Sequence, residues 1–207
     1  MSNASAPIRL MVASTVYNYE DQINQICGVL ASNAGYEIWN SHYGTIPTHP
    51  GKSNLENCLQ AVEDCDAFIG IIRPFYGSGV VGSRSITHEE MRLAVELKKP
   101  RWFVVHHHVT FARQLFRQFD RVENKLYRKS WTTRRSPVVF EKTSVMDDLR
   151  VIDIFDDVAQ SGVPAEDRIG HWVQEFKDIT DVMRKLETEF RDPARIQSII
   201  DEMNNAP

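Results

Sequence analysis

The stretch Ala67-Phe68-Ile69-Gly70-Ile71-Ile72 decides the fold class of this chain. It has no polar alternation, which is typical of a strand buried on both faces of a parallel sheet. Other short apolar runs lie at 8–14, 36–40 and 102–105, and segments with helical spacing separate the four runs. This alternation predicts an α/β fold with a doubly wound, mostly parallel sheet and right-handed crossovers.

The pattern loosens after His106. We predict a helix over Val109–Val122, a basic excursion over Lys125–Pro137, a fifth strand over Val151–Phe155 and a long amphipathic helix over Asp167–Phe190. A last short helix follows at Asp192-Pro193, with Asp as N-cap and Pro as first helical residue.

These elements predict a division of the chain into three parts. Residues 1–7 are a disordered start or a tag, and residues 8–158 form the α/β domain, with a basic insertion at 107–150. Residues 159–207 form a C-terminal helical extension.

The composition is that of an ordinary globular protein. Of the 207 residues 42% are hydrophobic and 25% charged, which argues against a disordered chain and a coiled coil. The three cysteines, Cys27, Cys58 and Cys65, have no metal or redox spacing, so we expect reduced core thiols. We find neither a membrane-length apolar stretch nor a secretory signal, and we predict a cytoplasmic protein that does not contact a membrane.

One block of the chain is basic although the net charge is -4. Residues 101–140 contain 9 basic and 2 acidic side chains, with aromatic residues among them. Arg113, Arg117 and Arg121 repeat every four residues, which suits a nucleic-acid surface or the solvated face of a helix. We favour a face exposed to solvent or to a protein partner over nucleic-acid binding.

Ligands of open α/β sheets bind at the carboxyl ends of the strands. That rule selects Trp39, His42 and Tyr43 after the second predicted strand. After the first, third and fourth strands it selects Ser14, Thr15, Tyr17, Arg73, Tyr76, Gly77, Ser78, Gly79 and His106. The loop from Arg73 to Gly79 suits a phosphate, because it offers backbone amides and a guanidinium. A plain turn is the alternative interpretation, since glycine often marks only a positive φ.

Glu90 is the candidate for chemistry. On a helix it shares an apolar stripe with Ala94 and Leu97, whereas Glu89 aligns with Arg92 on a charged one. A carboxylate beside a ligand crevice suits stabilisation of a ribosyl cation or attack on its anomeric carbon. The alternative is structural, because Thr87-x-x-Glu90 is also the pattern of a capping box.

Three further motifs predict no site. Gly51-Lys52-Ser53 lacks the first glycine of a phosphate-binding loop and indicates a helix entry. Asp66 precedes its strand, at the opposite edge of the sheet, and is expected to be structural. His106-His107-His108 has no carboxylate or cysteine at ligand spacing, so we predict no metal.

Four motifs resemble a bacterial family of uncharacterised TIR-like domains. They are Ala13 to Tyr17, Pro50 to Ser53 with Leu55 to Cys58, Tyr76 to Gly79, and Ser85 to Glu90 with Lys99-Pro100. Members of that family often stand at the N-terminus of larger NTPase proteins of signalling or defence. The resemblance covers residues 8–106, and it implies distant similarity to TIR domains and to nucleoside 2-deoxyribosyltransferases, which are flavodoxin-like folds.

The resemblance also implies a function. Thr87, Glu90, Ala94 and Lys99-Pro100 match the spacing around the catalytic Glu of the transferases, and catalytic TIR domains use a helix-borne Glu to split NAD. Glu90 would then cleave an N-glycosidic bond in NAD or a related nucleotide, with no cofactor. Arg73 and the backbone of Gly77 to Gly79 would hold phosphate, and Ser14, Thr15 and Tyr76 would line the ribose or base pocket.

Two observations keep another function open. Position 18 is Asn where that family commonly has Asp, and no second carboxylate is evident as a general acid. Many TIR-like domains are interaction modules, and a fold alone does not establish an activity. The alternative is a non-catalytic signalling or scaffold domain that self-associates or binds a protein partner through its C-terminal helices.

Overall fold

The computed structural model describes residues 6–77, 79, 84–128, 137–170 and 172–205. Those ranges contain eight strands, which are β1 (Ile8–Ser14), β2 (Tyr36–Trp39), β3 (Ala67–Ile72), β4 (Arg101–His106), β5 (Phe119–Val122), β6 (Lys125–Arg128), β7 (Val138–Val139) and β8 (Val173–Phe176). They also contain seven α-helices, which are α1 (Glu20–Ala31), α2 (Asn54–Asp64), α3 (Ile86–Glu96), α4 (His107–Leu115), α5 (Arg150–Val158), α6 (Ile179–Phe190) and α7 (Pro193–Asn204). A short 3-10 turn lies at Ala165–Asp167.

The main sheet has five parallel strands in the order β2-β1-β3-β4-β8. This is the flavodoxin-like order when β8 is counted as the fifth strand, so the predicted fold class is confirmed. All six residues of β3 are buried, as its apolar sequence predicts. Ile69 pairs with Val12 of β1 and Ile71 with Val104 of β4, which places β3 at the centre of the sheet.

Helices cover both faces of this sheet. On one face α2, α3, α4 and α5 pack over side chains such as Met11, Phe68 and Phe103. On the other face α1, α6 and α7 pack over Leu10 and Ile69 among others. Because consecutive strand residues point to opposite faces, each strand contributes to both hydrophobic cores.

Gly70 permits one close approach within the sheet. A Cβ atom built on Gly70 would lie 2.5 Å from the ring of Phe103 on β4. The missing side chain of Gly70 therefore leaves the space that Phe103 fills in the core below α3.

The prediction of a fifth strand at Val151–Phe155 is wrong. These residues lie inside α5, and Val151, Ile154 and Val158 are buried on its inner face. A five-residue apolar run does not distinguish a strand from a buried helix, and here the i, i+3, i+7 spacing decides.

The fifth strand comes instead from Val173–Phe176, within the segment predicted as one long helix over Asp167–Phe190. Pairing with β4 stabilises it there, and α6 begins only after Asp178, whose side chain accepts from Asp181 N. Trp172, expected on a buried stripe, is 74% exposed.

The helix predicted over Val109–Val122 ends at Leu115. Phe119–Val122 forms β5, which pairs with β6 in an antiparallel hairpin that β7 extends. The hairpin occupies part of the predicted basic excursion, and residues 129–136 of that excursion lie outside the described residues.

Other predictions about the chain have different outcomes. The helix at Asp192-Pro193 is confirmed with Asp192 as N-cap, and the helix entry at Ser53 is confirmed as a capping box. The division at residue 158 stays a prediction, although β8 places part of the proposed extension in the main sheet. Of the predicted start, residues 1–5 lie outside the described residues.

All three cysteines are free and buried, as expected. Within the described ranges, no helix combines the length and the apolar character that crossing a membrane requires. A cytoplasmic location stays a prediction.

Candidate functional site

A cleft of about 500 Å³ opens at the carboxyl edge of the main sheet. Its walls are the end of β1, the loop after β2 and the first turns of α2 and α3. The residues of the sequence-predicted site that line it are Ser14, Thr15, Tyr17, Gly77, Thr87 and Glu90. The structure therefore brings together six of the predicted residues, including the candidate for chemistry, whereas Trp39, His42 and Tyr43 lie outside the lining.

Glu90 lies in the wall of this cleft and is only 4% exposed. Burial raises the pKa of its carboxyl group to about 7, and a hydrogen bond from the Cys58 thiol of α2 opposes that shift. The group is therefore divided between its acid and its carboxylate near neutral pH. Such a pKa suits a group that exchanges protons or presents a negative charge near pH 7.

The capping-box interpretation of Glu90 is wrong. Ser85 is the N-cap of α3, and its hydroxyl accepts a hydrogen bond from His88 N at 3.3 Å. Thr87 is already a helical residue, because α3 begins at Ile86. The carboxyl group of Glu90 is thus free of any capping role and lies beside Thr87 in the cleft wall.

Glu89 differs from Glu90 as the two predicted stripes require. Its carboxylate receives hydrogen bonds from Arg84 at 3.3 Å and from Arg92 at 3.1 Å, outside the cleft. Glu89 is therefore a suitable control residue for substitutions of Glu90.

The end of β1 forms one side of the cleft. Thr15 packs against Gly77, since a Cβ atom on Gly77 would lie 3.0 Å from Thr15 Cγ2. Gly77 also has a φ of +87°, which disfavours any other residue. Tyr17 lies at the rim, 53% exposed, with the ammonium group of Lys142 at 5.5 Å from its ring centroid.

Arg73 lies behind the β1–α1 loop, outside the cleft lining. Its guanidinium donates to the carbonyl oxygens of Thr15 and Tyr17, both at 2.8 Å, and stacks on Tyr19 with 4.1 Å between Cζ and the ring centroid. Burial lowers the pKa of Arg73 to about 10, which still leaves it charged at neutral pH. These contacts hold the loop that shapes the cleft, and they direct the guanidinium away from a ligand.

Tyr76 is fully buried and also lies outside the cleft lining. Its hydroxyl oxygen accepts from Ser85 N at 3.2 Å and lies 2.8 Å from His88 Nδ1. Because the tyrosine oxygen already accepts from Ser85 N, we assign the Tyr76 hydroxyl as the donor to His88 Nδ1. The Nε2–H group of His88 then donates to the Asp157 carboxylate, 3.0 Å away. Tyr76 thus connects the loop after β3 to α3 and α5.

Two other loop predictions have no counterpart in the cleft. Gly79 has a φ of +74° and is exposed, away from the cleft lining. Ser78 lies outside the described residues.

His106 ends β4 and lies outside the cleft lining. Its Nδ1 atom accepts from His108 N at 3.2 Å, so His106 is the N-cap of α4. Burial and the neighbouring imidazoles of His108 and His107 lower its pKa to about 4, which keeps it neutral. One nitrogen from each of the three histidines lies within 4.8 Å of the others, but the cluster stands at the N-terminus of α4, where the helix dipole disfavours a cation. We assign no metal to them.

Sequence reasoning missed several polar side chains of the cleft, among them Asn40, Asn57 and Cys58. The Asn40 amide donates to Val12 O at 2.8 Å and fixes the loop after β2. Asn57 accepts from His49 N at 2.7 Å, and Cys58 faces Glu90. The capping box at Ser53 sets the register of α2 and could have indicated Asn57 and Cys58, since Asn54, Asn57 and Cys58 share one helix face.

The basic block pairs with the acidic part of the same chain. Arg113 donates to Asp156 at 2.6 Å and Arg121 donates to the same carboxylate at 2.7 Å. The predicted arginine stripe is wrong as a single helical face, because α4 ends before Arg117. Trp131, Arg134 and Arg135, also in the basic block, lie outside the described residues.

The chain matches the family described as Domain of unknown function (DUF4062) over residues 9–153, which is more than half of its length. The chain belongs to this family. No curated protein and no solved structure matches it. The DUF4062 match begins in β1 and ends within α5, so it includes every residue that lines the cleft.

Proposed function

We propose that this DUF4062 protein binds a nucleoside or nucleotide in the cleft and cleaves its N-glycosidic bond through Glu90. A glutamate that is only 4% exposed, in the wall of a ligand-sized cleft, carries the proposal. A structural role would give that group a partner that neutralises or caps it. Among the described residues no ion pair neutralises Glu90 and no cap uses it, and the Cys58 thiol of α2 faces it.

The chemistry requires only this carboxylate and water. The bond between the anomeric carbon and the base nitrogen breaks, and its electron pair stays on the base. The Glu90 carboxylate stabilises the resulting oxocarbenium ion or adds to its anomeric carbon. Water then adds to the cation or, where the Glu90 ester has formed, displaces the Glu90 carboxylate as the bond between carbon and carboxylate oxygen breaks. A proton of that water passes to the base or to solvent.

NAD and related nucleotides are the first substrates to test, as the resemblance to TIR-like domains implies. Thr15 and Thr87 line the same cleft as Glu90, and their hydroxyl groups suit a ribose. A TIR-like relationship and a role in signalling or defence belong to the same proposal. The match to DUF4062 names no activity.

The test is base release by the purified protein. It is incubated with NAD, NADP and a panel of nucleosides, and free base is followed by chromatography. We expect Glu90→Gln to lower turnover by about 10²-fold or more, because the amide carries no charge to stabilise the cation. The matched control is Glu89→Gln, which removes the neighbouring carboxylate and is expected to keep turnover within about twofold. Equal losses in both variants, or no release by the wild type, would contradict the proposal.

A non-catalytic scaffold is the alternative, and the C-terminal helices give it little support. Their apolar side chains, such as Leu186, Phe190 and Ile200, are buried against the chain's own sheet. Self-association through α6 and α7 would therefore need other residues of those helices.

A further inference from the structure

The cleft is unusual for a nucleotide site in its charge. Among the described residues that line it, Glu90 is the one ionisable carboxyl group and no lysine, arginine or histidine is present. The described lining residues therefore give the cleft a net charge of zero or below.

Two cations next to residues of the cleft, Arg73 and Lys142, contact other groups. Arg73 donates to the carbonyl oxygens of Thr15 and Tyr17 from behind the loop. The ammonium group of Lys142 lies over the ring of Tyr17, at the rim of the cleft. Neither guanidinium nor ammonium group lines the cleft to receive a phosphate.

Helix N-termini also bind phosphate in many proteins, and two of them open on this cleft. Both already contain a carboxylate. At α2 the Glu56 carboxylate accepts from Ser53 N at 2.7 Å, and the Ser53 hydroxyl accepts from Glu56 N. At α3 Glu89 lies in the first turn. At α2 the negative charge of Glu56 compensates the helix dipole and disfavours a second anion. At α3 Glu89 compensates the dipole while its carboxylate pairs with Arg84 and Arg92.

The charges of the cleft also determine which leaving group can depart. An uncharged base departs as an anion unless an acid protonates it, and the described cleft holds no second carboxyl group for that task. A base with a positive charge departs as a neutral molecule when it takes the electron pair of the broken bond. The single carboxylate therefore suits a cationic base.

From this cleft we infer that the substrate is a riboside without phosphate whose base carries a positive charge, of the pyridinium type. The inference rests on the proposed function and narrows its substrate. The carboxylate of Glu90 attracts the cationic ligand, and the hydroxyl groups of Thr15 and Thr87 receive the ribose. Hydrolysis then converts the riboside and one water molecule into ribose, the neutral base and one proton in solvent.

The experiment compares matched substrates on the full chain. Nicotinamide riboside and nicotinamide mononucleotide differ only by a phosphate, and inosine replaces the cationic base with an uncharged one. NAD completes the set. We expect kcat/KM for the riboside to exceed that for the mononucleotide, NAD and inosine by at least about tenfold, a difference of about 1.4 kcal/mol in transition-state binding.

Two variants test whether the lack of a cation in the cleft causes the preference for the riboside over the mononucleotide. Thr87→Lys places a cation in the cleft wall, and we expect it to narrow the ratio of riboside to mononucleotide turnover by several-fold. Lys142→Gln removes the ammonium group at the rim, and we expect that ratio to stay as in the wild type. A ratio that changes with Lys142→Gln would show that the rim lysine recognises phosphate and would overturn the inference.

The outcomes separate the inference from the proposed function. Cleavage of the mononucleotide, NAD or inosine as fast as the riboside overturns the inference and leaves the proposed function standing. If nothing is cleaved, calorimetry decides. Binding of the riboside at least tenfold tighter than the mononucleotide then supports the inference about the ligand and contradicts the proposed hydrolysis. Absence of binding to every compound overturns both.

Discussion

At the scale of single residues, the burial of Glu90 has a consequence for stability that does not depend on any activity. The ordinary pKa of 4.5 applies to the unfolded chain, and the folded value is about 7. Between these values the folded protein binds more protons, so the free energy of unfolding falls as pH rises from about 4.5 to 7, by about 3 kcal/mol. Cys58, which faces Glu90 from α2, stays neutral because burial raises its thiol pKa to about 12.

We therefore expect Glu90→Gln to be more stable than the wild type at pH 8, by about 3 kcal/mol, and about equal to it at pH 4.5. Glutamine has nearly the same shape and never ionises, so the variant avoids the cost of a buried charge. Urea denaturation at both pH values measures the difference. Glu89→Gln is the control and should show no such gain, because its carboxylate is paired with Arg84 and Arg92. A parallel pH dependence in wild type and Glu90→Gln would refute the argument.

At the scale of secondary-structure elements, Tyr76, His88 and Asp157 join the loop after β3 to α3 and α5 through one chain of hydrogen bonds. Tyr76→Phe leaves Ser85 N and His88 Nδ1 without this partner in a buried place. Loss of a partner there costs about 1–3 kcal/mol, so we expect a fall of about 2 kcal/mol in the free energy of unfolding.

Chemical denaturation measures that fall, and Tyr17→Phe is the matched control, since Tyr17 is half-exposed at the rim of the cleft. Hydrogen exchange adds a local measure, because amides in the first turn of α3 should lose protection only in Tyr76→Phe. If both variants keep wild-type stability, the chain of hydrogen bonds does not stabilise α3.

Elements also differ in how well the sequence predicts them. The apolar run of β3 and the capping box at Ser53 are local signals, and both are confirmed. α5 and β8 were predicted with the wrong type because their states depend on partners far along the chain: β8 pairs with β4, which lies about 70 residues earlier. The strand-end rule predicts that Arg73 and Tyr76 contact the ligand, and it neglects distant partners in a similar way. Their carbonyl, amide and imidazole partners come from other elements, which a strand-end rule does not reveal.

At the scale of the whole molecule, opposite charges from distant parts of the sequence meet. Arg113 of α4 and Arg121 of β5 share the Asp156 carboxylate of α5, which explains why a basic block lies within an acidic protein. These pairs are partly exposed, so each adds only a small stabilisation. The C-terminal residues contribute more, since β8, α6 and α7 complete one edge and one face of the sheet.

We expect a chain that ends at Val158 to lose cooperative unfolding. Without β8, α6 and α7, side chains such as Val104 and Ile69 lose their apolar cover, and β4 becomes an open edge. Circular dichroism during urea titration measures cooperativity. A chain that ends at Asn205 is the control and should unfold like the full protein, whereas one that ends at Arg191 keeps β8 and α6 and should be cooperative at lower stability. If the chain ending at Val158 unfolds as cooperatively as the full protein, residues 159–207 are a separate extension, as the sequence alone predicts.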